Sequence, residues 1–190
     1  MLTVLIAPDS FKGTLSAAQV CDIAERAFKD AIKDVKIIKL PAADGGEGLC
    51  ACFEGFAKGR RIAAEVSGVF GDKMTAEYFM LDNKTAVIEM ASCAGLPLAG
   101  ENKNPEKATT FGVGELMLHA KQNGAEAVLL GLGGSATNDC GVGMATALGW
   151  KFLDENGNRV EPCGASLSKI QKIIPPTKSF DLPVMAACDV

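Results

Sequence analysis

Residues 2–40, LTVLIAPDSFKGTLSAAQVCDIAERAFKDAIKDVKIIKL, decide the fold class. Leu2 to Ala7 is a continuous apolar run of the length of a buried strand, and it ends in Pro8-Asp9-Ser10 and the turn residues around Gly13. Ser16 with Gln19 three residues on makes a capping box. Val20, Ile23, Ala24, Ala27, Phe28, Ala31 and Ile32 then recur at helical spacing, with Glu25, Arg26, Lys29, Asp30 and Lys33 on the other face. Val35 to Leu40 is a second strand, stopped by Pro41. Strand, helix and strand within about forty residues form the crossover unit that builds parallel sheets, so the chain is α/β.

Beyond this unit, Asp44-Gly45-Gly46-Glu47-Gly48 precedes a short apolar helix, Leu49 to Phe56. Ile62 to Val66, Ala76 to Leu81 and Thr85 to Met90 follow as three short strands with turn signals at Gly68, Gly71-Asp72 and Asp82-Asn83, a meander that opens a second subdomain near residue 60. The pattern predicts a helix from Val113 to Asn123 closing on Gly124, a buried strand from Ala127 to Leu132, and a helix from Asp139 to Leu148 capped by Gly149. It further predicts a strand at Lys151 to Asp154, a helix from Leu167 to Ile174 before Pro175-Pro176, and a buried strand from Pro183 to Cys188. Asp189 then puts a carboxylate at the tip of an apolar strand, where α/β proteins build sites, and the expectation is the front part of a longer protein.

Composition removes several function classes. With 190 residues, 48% hydrophobic and 22% charged, the chain can bury a core and hold one or two domains, which excludes disorder. Nineteen Lys plus Arg against 23 Asp plus Glu, without a basic run, argues against nucleic acid as a partner. No apolar stretch approaches the ~20 residues of a membrane helix, and the amino terminus lacks the marks of a signal peptide. A cytoplasmic protein with no membrane partner is expected. The seven cysteines are odd in number and never form CxxC, which reads as reduced thiols. Cys50 and Cys52 fall two apart on a helix, where they do not face each other, so they make a poor metal pair. The single His119 has no nucleophile motif near it and reads as a surface residue.

The chemistry must therefore lie in loops. Asp9-Ser10-Phe11-Lys12-Gly13 offers a carboxylate, a hydroxyl and an ammonium that could neutralise an anionic substrate, or a turn with a solvated Lys12. Asp44 and Glu47 stand three apart among glycines that permit close backbone approach; this suits magnesium through water, a proton acceptor beside an alcohol, or a plain turn into a helix. A further polar stretch, Asn104-Pro105 with Thr109-Thr110-Phe111-Gly112, lies before a helix. Gly131 to Asp139, GLGGSATND, is a glycine-rich turn carrying hydroxyls between a strand and a helix start, which favours an anion. It also fits a loose G-x-G-x-x-A dinucleotide pattern, with Asp154 near the place of a ribose-binding acid, so a nicotinamide-dependent oxidoreductase is a rival. No G-x-x-x-x-G-K-[ST] P-loop is present.

VLIAPDSFKGTLSA, KLPAADGGEG, AVIEMASCAGLPL, NP followed by ATTFGVGEL, GLGGSATNDCGVGM and the final ACDV follow one another at ordinary distances. In that order they resemble the successive landmarks of the type 1 glycerate kinases, over essentially the whole chain. The resemblance implies ATP- and magnesium-dependent phosphorylation of D-glycerate, in most bacterial members on the 2-hydroxyl to give 2-phosphoglycerate. It also implies a Rossmann-like parallel-sheet domain, of which residues 1–60 would be the N-terminal part, and an inserted second α/β domain at residues 61–190. Carried over, it puts Asp9, Ser10 and Lys12 in a first active-site loop and Asp44, Gly45, Gly46 and Glu47 in a second. Thr109, Thr110 and Gly112, with Gly133, Gly134, Ser135, Ala136, Thr137, Asn138 and Asp139, would line the inserted domain's side of the cleft, and Asp189 would open a D-x-N-P-L segment.

Two departures stand out: the Asn-Pro-Leu and the GEGR-type later half of the family are absent, and Cys140 stands where Gly is usual and would crowd a positive φ. In phosphoryl transfer, Asp44 or Asp189 would accept the glycerate hydroxyl proton, Lys12 would offset charge, and the Gly133 to Asn138 loop would hold carboxylate or phosphate. Asp44, Glu47 and Asp189 are the candidates to meet a metal. Besides the oxidoreductase, a catalytically silent anion-binding fragment remains as an alternative, and apolar surface left uncovered would favour self-association.

Overall fold

β1 (Leu2–Ile6), α1 (Ala17–Ala31) and β2 (Val35–Lys39) form the expected crossover in the computed structural model, which describes residues 1–11, 13–101 and 103–188. β1 and β2 pair in parallel, Leu2 beside Val35 through Ile6 beside Lys39. Ser16 caps α1 as the sequence predicts: its hydroxyl accepts the Gln19 N–H and the Gln19 side chain accepts the Ser16 N–H. α1 buries Ala17 and Cys21, while Ile23 and Phe28 stay exposed.

α2 (Leu49–Phe56) leads from the second loop into β3 (Gly59–Ser67), β4 (Lys73–Leu81) and β5 (Thr85–Glu89). These three strands are the antiparallel meander. After β5 come the one-turn α3 (Ala91–Ala94), a 3-10 turn at Leu96–Ala99, and α4 (Phe111–Gln122). β6 (Ala127–Gly131) then returns parallel to β5, and later β9 (Val184–Ala187) lies parallel to β6. Between them lie α5 (Val142–Ala147), β7 (Lys151–Leu153) and β8 (Lys172–Ile174), the last two a separate antiparallel pair. The meander is thus one flank of a mixed sheet in the order β3-β4-β5-β6-β9.

Alternation along the strands splits that sheet between two layers. Tyr78, Met80, Ile88, Val128 and Leu130 pack with Val113, Leu116 and Met117 of α4. Phe79, Val87 and Leu129 turn to the opposite face, where α2 brings Leu49, Cys50 and Phe53. Arg61 of β3 ties α2 down by two hydrogen bonds to the Glu54 carboxylate, at 2.6 and 3.0 Å.

Four local expectations are corrected. Residues 164–169 form a 3-10 helix and Lys172–Ile174 a strand, in place of a helix to Ile174. Ile173 and Ile174 are β-branched, and Pro175 biases the residue before it toward extended backbone. β9 is an edge strand, and its Val184 and Met185 are exposed rather than buried. The helix expected from Asp139 begins at Val142, because the Asp139 carboxylate takes up the backbone before it. His119 is half-buried against Tyr78, its Nδ1 3.2 Å from the phenol oxygen.

Candidate active site

The first two loops meet in a cavity of about 300 Å³, walled by Asp9, Ser10, Phe11, Glu47, Gly48 and Cys52 together with the start of α1. The Asp9 carboxylate accepts the Ser10 N–H at 2.6 Å, and Phe11 and Leu15 exchange backbone hydrogen bonds around the tip of the loop. Glu47 is exposed. Cys52, 6% exposed, has its thiol pKa raised first by burial and then by the Asp9 and Glu89 charges, so it lines the cavity as a neutral group. Lys12 and Asp189 lie outside the described residues.

The second loop also meets the glycine-rich loop. Asp44 Oδ1 accepts the Gly46 N–H at 2.8 Å, folding the turn, and the Gly45 carbonyl accepts the Gly133 N–H at 3.0 Å. A Cβ on Gly133 would stand 2.6 Å from the Gly46 Cα, one on Gly131 would run into the Gly45 carbonyl, and one on Gly45 into the Ala187 carbonyl of β9. These glycines let two loops from distant parts of the chain touch backbone to backbone at the carboxyl ends of β6 and β9, where α/β sheets bind ligands. The close approach that the sequence assigns to a substrate is, at these positions, an approach of the chain to itself.

The rest of the glycine-rich loop folds over residues 94–96: the Leu96 N–H donates to the Gly134 carbonyl and the Ala136 N–H to the Ala94 carbonyl. The Ser135 hydroxyl lies 2.7 Å from that of Thr137 and accepts the Thr137 N–H. Among the described residues the Gly134 and Ser135 N–H groups have no acceptor, and Gly134 and Asn138 are exposed, so this stretch keeps donors for an anion.

Thr109, Thr110, Gly112 and Asp139 are placed behind that wall. Asp139 is 1% exposed and accepts from the Thr110 N–H and hydroxyl (both 2.8 Å) and the Gly141 and Gly143 N–H groups (both 3.0 Å). The Thr110 hydroxyl in turn accepts the Met144 N–H at 2.8 Å, Thr109 donates to the Pro162 carbonyl, and Gly112 lets α4 abut the Ser67 carbonyl. The free helix end that the sequence offers to an anion is therefore filled by the protein's own carboxylate.

Sequence reasoning missed Glu89. It ends β5, and its Oε1 accepts the Cys50 N–H in the first turn of α2 at 2.7 Å. An acid directly after the apolar run of residues 86–88 was the available signal. Asp154, the acid of the dinucleotide reading, instead accepts the Asn156 and Asn158 N–H groups of its own turn, and the Asn158 amide leads in lowering its pKa.

The family model described as the glycerate kinase family matches residues 4–190. The chain belongs to the glycerate kinase family. It is 42% identical to a glycerate kinase of Bacillus cereus and 40% identical to a glycerate 2-kinase of Escherichia coli, in each case over 100% of this chain and 51% of the relative. A crystal structure assigned as a glycerate kinase 2 from Salmonella typhimurium LT2 superposes with a TM-score of 0.82 at 37% identity, over 100% of this chain and 52% of that one. The chain thus spans about half the length of the relatives it matches. Family membership displaces the oxidoreductase reading.

Proposed function

We propose that this chain carries one part of a kinase cleft that phosphorylates D-glycerate on its 2-hydroxyl with ATP and magnesium. The observation that carries the reading is the backbone contact of the Asp44–Gly48 turn with Gly131–Gly133, which joins the acid-bearing turn to the glycine-rich loop at one sheet end. The relatives' names support the substrate, and the relative named a 2-kinase supports the position.

Magnesium in phosphoryl transfer keeps several waters and takes one or two carboxylates. Among the described residues no three His, Cys, Asp or Glu gather into a metal cage. Asp44 and Glu47, three residues apart in one turn, would be the carboxylates to meet an ion carried in by the phosphates. ATP supplies the phosphoryl group and magnesium the charge that offsets its oxygens. This chain's residues orient the acceptor. Asp44 or Asp189 takes the proton from the glycerate hydroxyl, and Lys12 neutralises charge. The Gly134 and Ser135 N–H groups, with the Ser135 and Thr137 hydroxyls, hold a carboxylate or phosphate. Thr110 and Asp139 act from behind, keeping that loop in place.

The division near residue 60 belongs to the same proposal, supported by the separation of the β1–β2 sheet from the five-stranded one. A cytoplasmic setting is supported by seven free cysteines, five of them buried. Among the described residues no helix is long and apolar enough to cross a membrane.

The test is a coupled ATP–glycerate assay on the 190-residue chain and on Asp44→Asn, with folding followed by circular dichroism. Turnover that Asp44→Asn abolishes supports the reading, and an undiminished rate removes Asp44 from the chemistry. Folded protein without turnover would favour the anion-binding reading for this chain.

A further inference from the structure

We infer that Glu89 is a positioning residue of this cleft: its carboxylate is the resident anion of the α2 amino terminus, which anchors the Asp44–Gly48 turn and closes that helix end to phosphate. The inference deepens the proposed cleft and rests on it for its functional meaning.

α2 begins directly after Gly48, a residue with φ +97° and no side chain, so no N-cap side chain serves its first N–H groups, and the Leu49 N–H reaches the Gly46 carbonyl at 3.4 Å. Gly45, Gly46 and Gly48 before a helix are the composition of a phosphate cradle, and an anion is what that end calls for. The structure supplies one from another strand. The 2.7 Å bond from Cys50 N–H to Glu89 Oε1 has the length of a charge-assisted hydrogen bond.

Glu89 is held firmly enough to do this. It follows Val87 and Ile88, both fully buried in the middle of the sheet, and sits beside Gly131 of β6 in register. The positive end of the α2 dipole is the charge that faces its carboxylate at this bond. Next to it the Cys50 thiol, pushed up to about 12 by burial and then by the Glu89 charge, stays protonated and donates to the Val87 carbonyl.

Asp139 does the same at the start of α5, where its oxygens take the Gly141 and Gly143 N–H groups. Both glycine-rich turns of the cleft thus end on helices already neutralised from inside. A substrate phosphate meets a fixed negative charge behind the Asp44–Gly48 turn and open donors at Gly134 and Ser135, which sorts it to the glycine-rich loop.

The experiment is amide hydrogen exchange by NMR on the labelled 190-residue chain, followed by titration with inorganic phosphate. Glu89→Ala is expected to speed exchange at Cys50 by about tenfold, the effect of losing roughly 1.4 kcal/mol, while the β4–β5 amides keep their rates. Added formate should restore the slow rate, and phosphate should shift the Cys50 resonance in Glu89→Ala and leave it unmoved in the unmodified chain. Unchanged exchange at Cys50 in the variant, or a phosphate shift there in the unmodified chain, overturns the inference. Glu89→Gln keeps the volume and an acceptor oxygen; it should speed Cys50 exchange by a few-fold with no response to formate, and a formate response would count against the proposal. None of these readings needs turnover, so failure of the kinase assay and failure of this inference are separate results.

Discussion

In β5, Val87 and Ile88 are wholly inaccessible to solvent, whereas in β1 Leu2 and Leu5 are 53% and 59% exposed, although both strands are written in the same apolar alphabet. β5 has β4 on one side, β6 on the other, α2 over one face and α4 over the other. β1 has one partner strand and one helix, and that helix leaves Ile23 and Phe28 in solvent. An apolar run therefore specifies a strand, but its burial is conferred by whatever else packs there. A two-stranded pair with one covering helix is a weak unit by itself, and the five-stranded sheet is the part of this chain able to hold a site rigid.

The comparison is broken most severely by Asp139→Ala, which leaves the buried Thr110 and Gly143 N–H groups and the half-buried Gly141 N–H without this acceptor. A loss of roughly 3–5 kcal/mol in urea unfolding is expected. A loss below about 1 kcal/mol would mean that Asp139 does not pin α4 to α5. Leu116→Ala, in the α4 face of the same sheet, should cost about 3 kcal/mol, because the side chain is fully enclosed. Ile23→Ala on α1 is the matched control, expected to cost under about 1 kcal/mol since that residue is already 45% exposed. Equal losses at the two sites would erase the distinction between the two regions.

The difference between the regions also marks what could be read in advance. The β1–α1–β2 crossover, the Ser16–Gln19 box, α2 and the three-strand meander were legible because each rests on local periodicity or capping. The edge position of β9 was not, since its apolar residues look like those of a covered strand until the sheet order is known. The same holds for the site. GLGGSATND announced a glycine-rich loop after a strand, but its glycines turned out to make room for Gly45 and Gly46, a non-local contact that no spacing encodes. Glu89 is illegible in the sequence for the same reason, as its partner Cys50 N–H lies 39 residues away.

Cys140 gives a smaller effect of opposite sign. The sequence flags it as a side chain where the backbone wants glycine, and the structure gives it φ +52°. It follows Asp139, so the strain sits inside the network that holds α5, and the cysteine is exposed, with no packing to lose. Cys140→Gly should raise unfolding stability by about 1 kcal/mol, the strain relieved less the added freedom of the unfolded chain. An unchanged or lower midpoint would show that the turn accepts a β-carbon at no cost.

The smallest effect belongs to the weaker region. Glu25 on α1 bonds Lys29 at 2.7 Å and Lys39 of β2 at 2.8 Å, and Lys39 also reaches Asp22 at 2.8 Å. Hydrogen bonds from Lys29 and Lys39 lower the Glu25 pKa from 4.5 to about 2, while the Lys39 pKa is raised, so that ammonium stays charged throughout. A carboxyl depressed in the folded state stabilises above its unfolded pKa and loses that contribution as pH falls through the folded one. The clamp between α1 and β2 should therefore be intact at pH 7, weaken below about 4.5 and vanish near 2. Because the pair is solvent-exposed, the effect on global unfolding is small, and the sensitive readout is amide exchange in α1. Between pH 4.5 and 2 the α1 rates, corrected for intrinsic pH dependence, should converge on those of Glu25→Gln, with no matching convergence in β5 and β6. Parallel curves for the two proteins across that window would mean that this ion pair does not hold the crossover unit together.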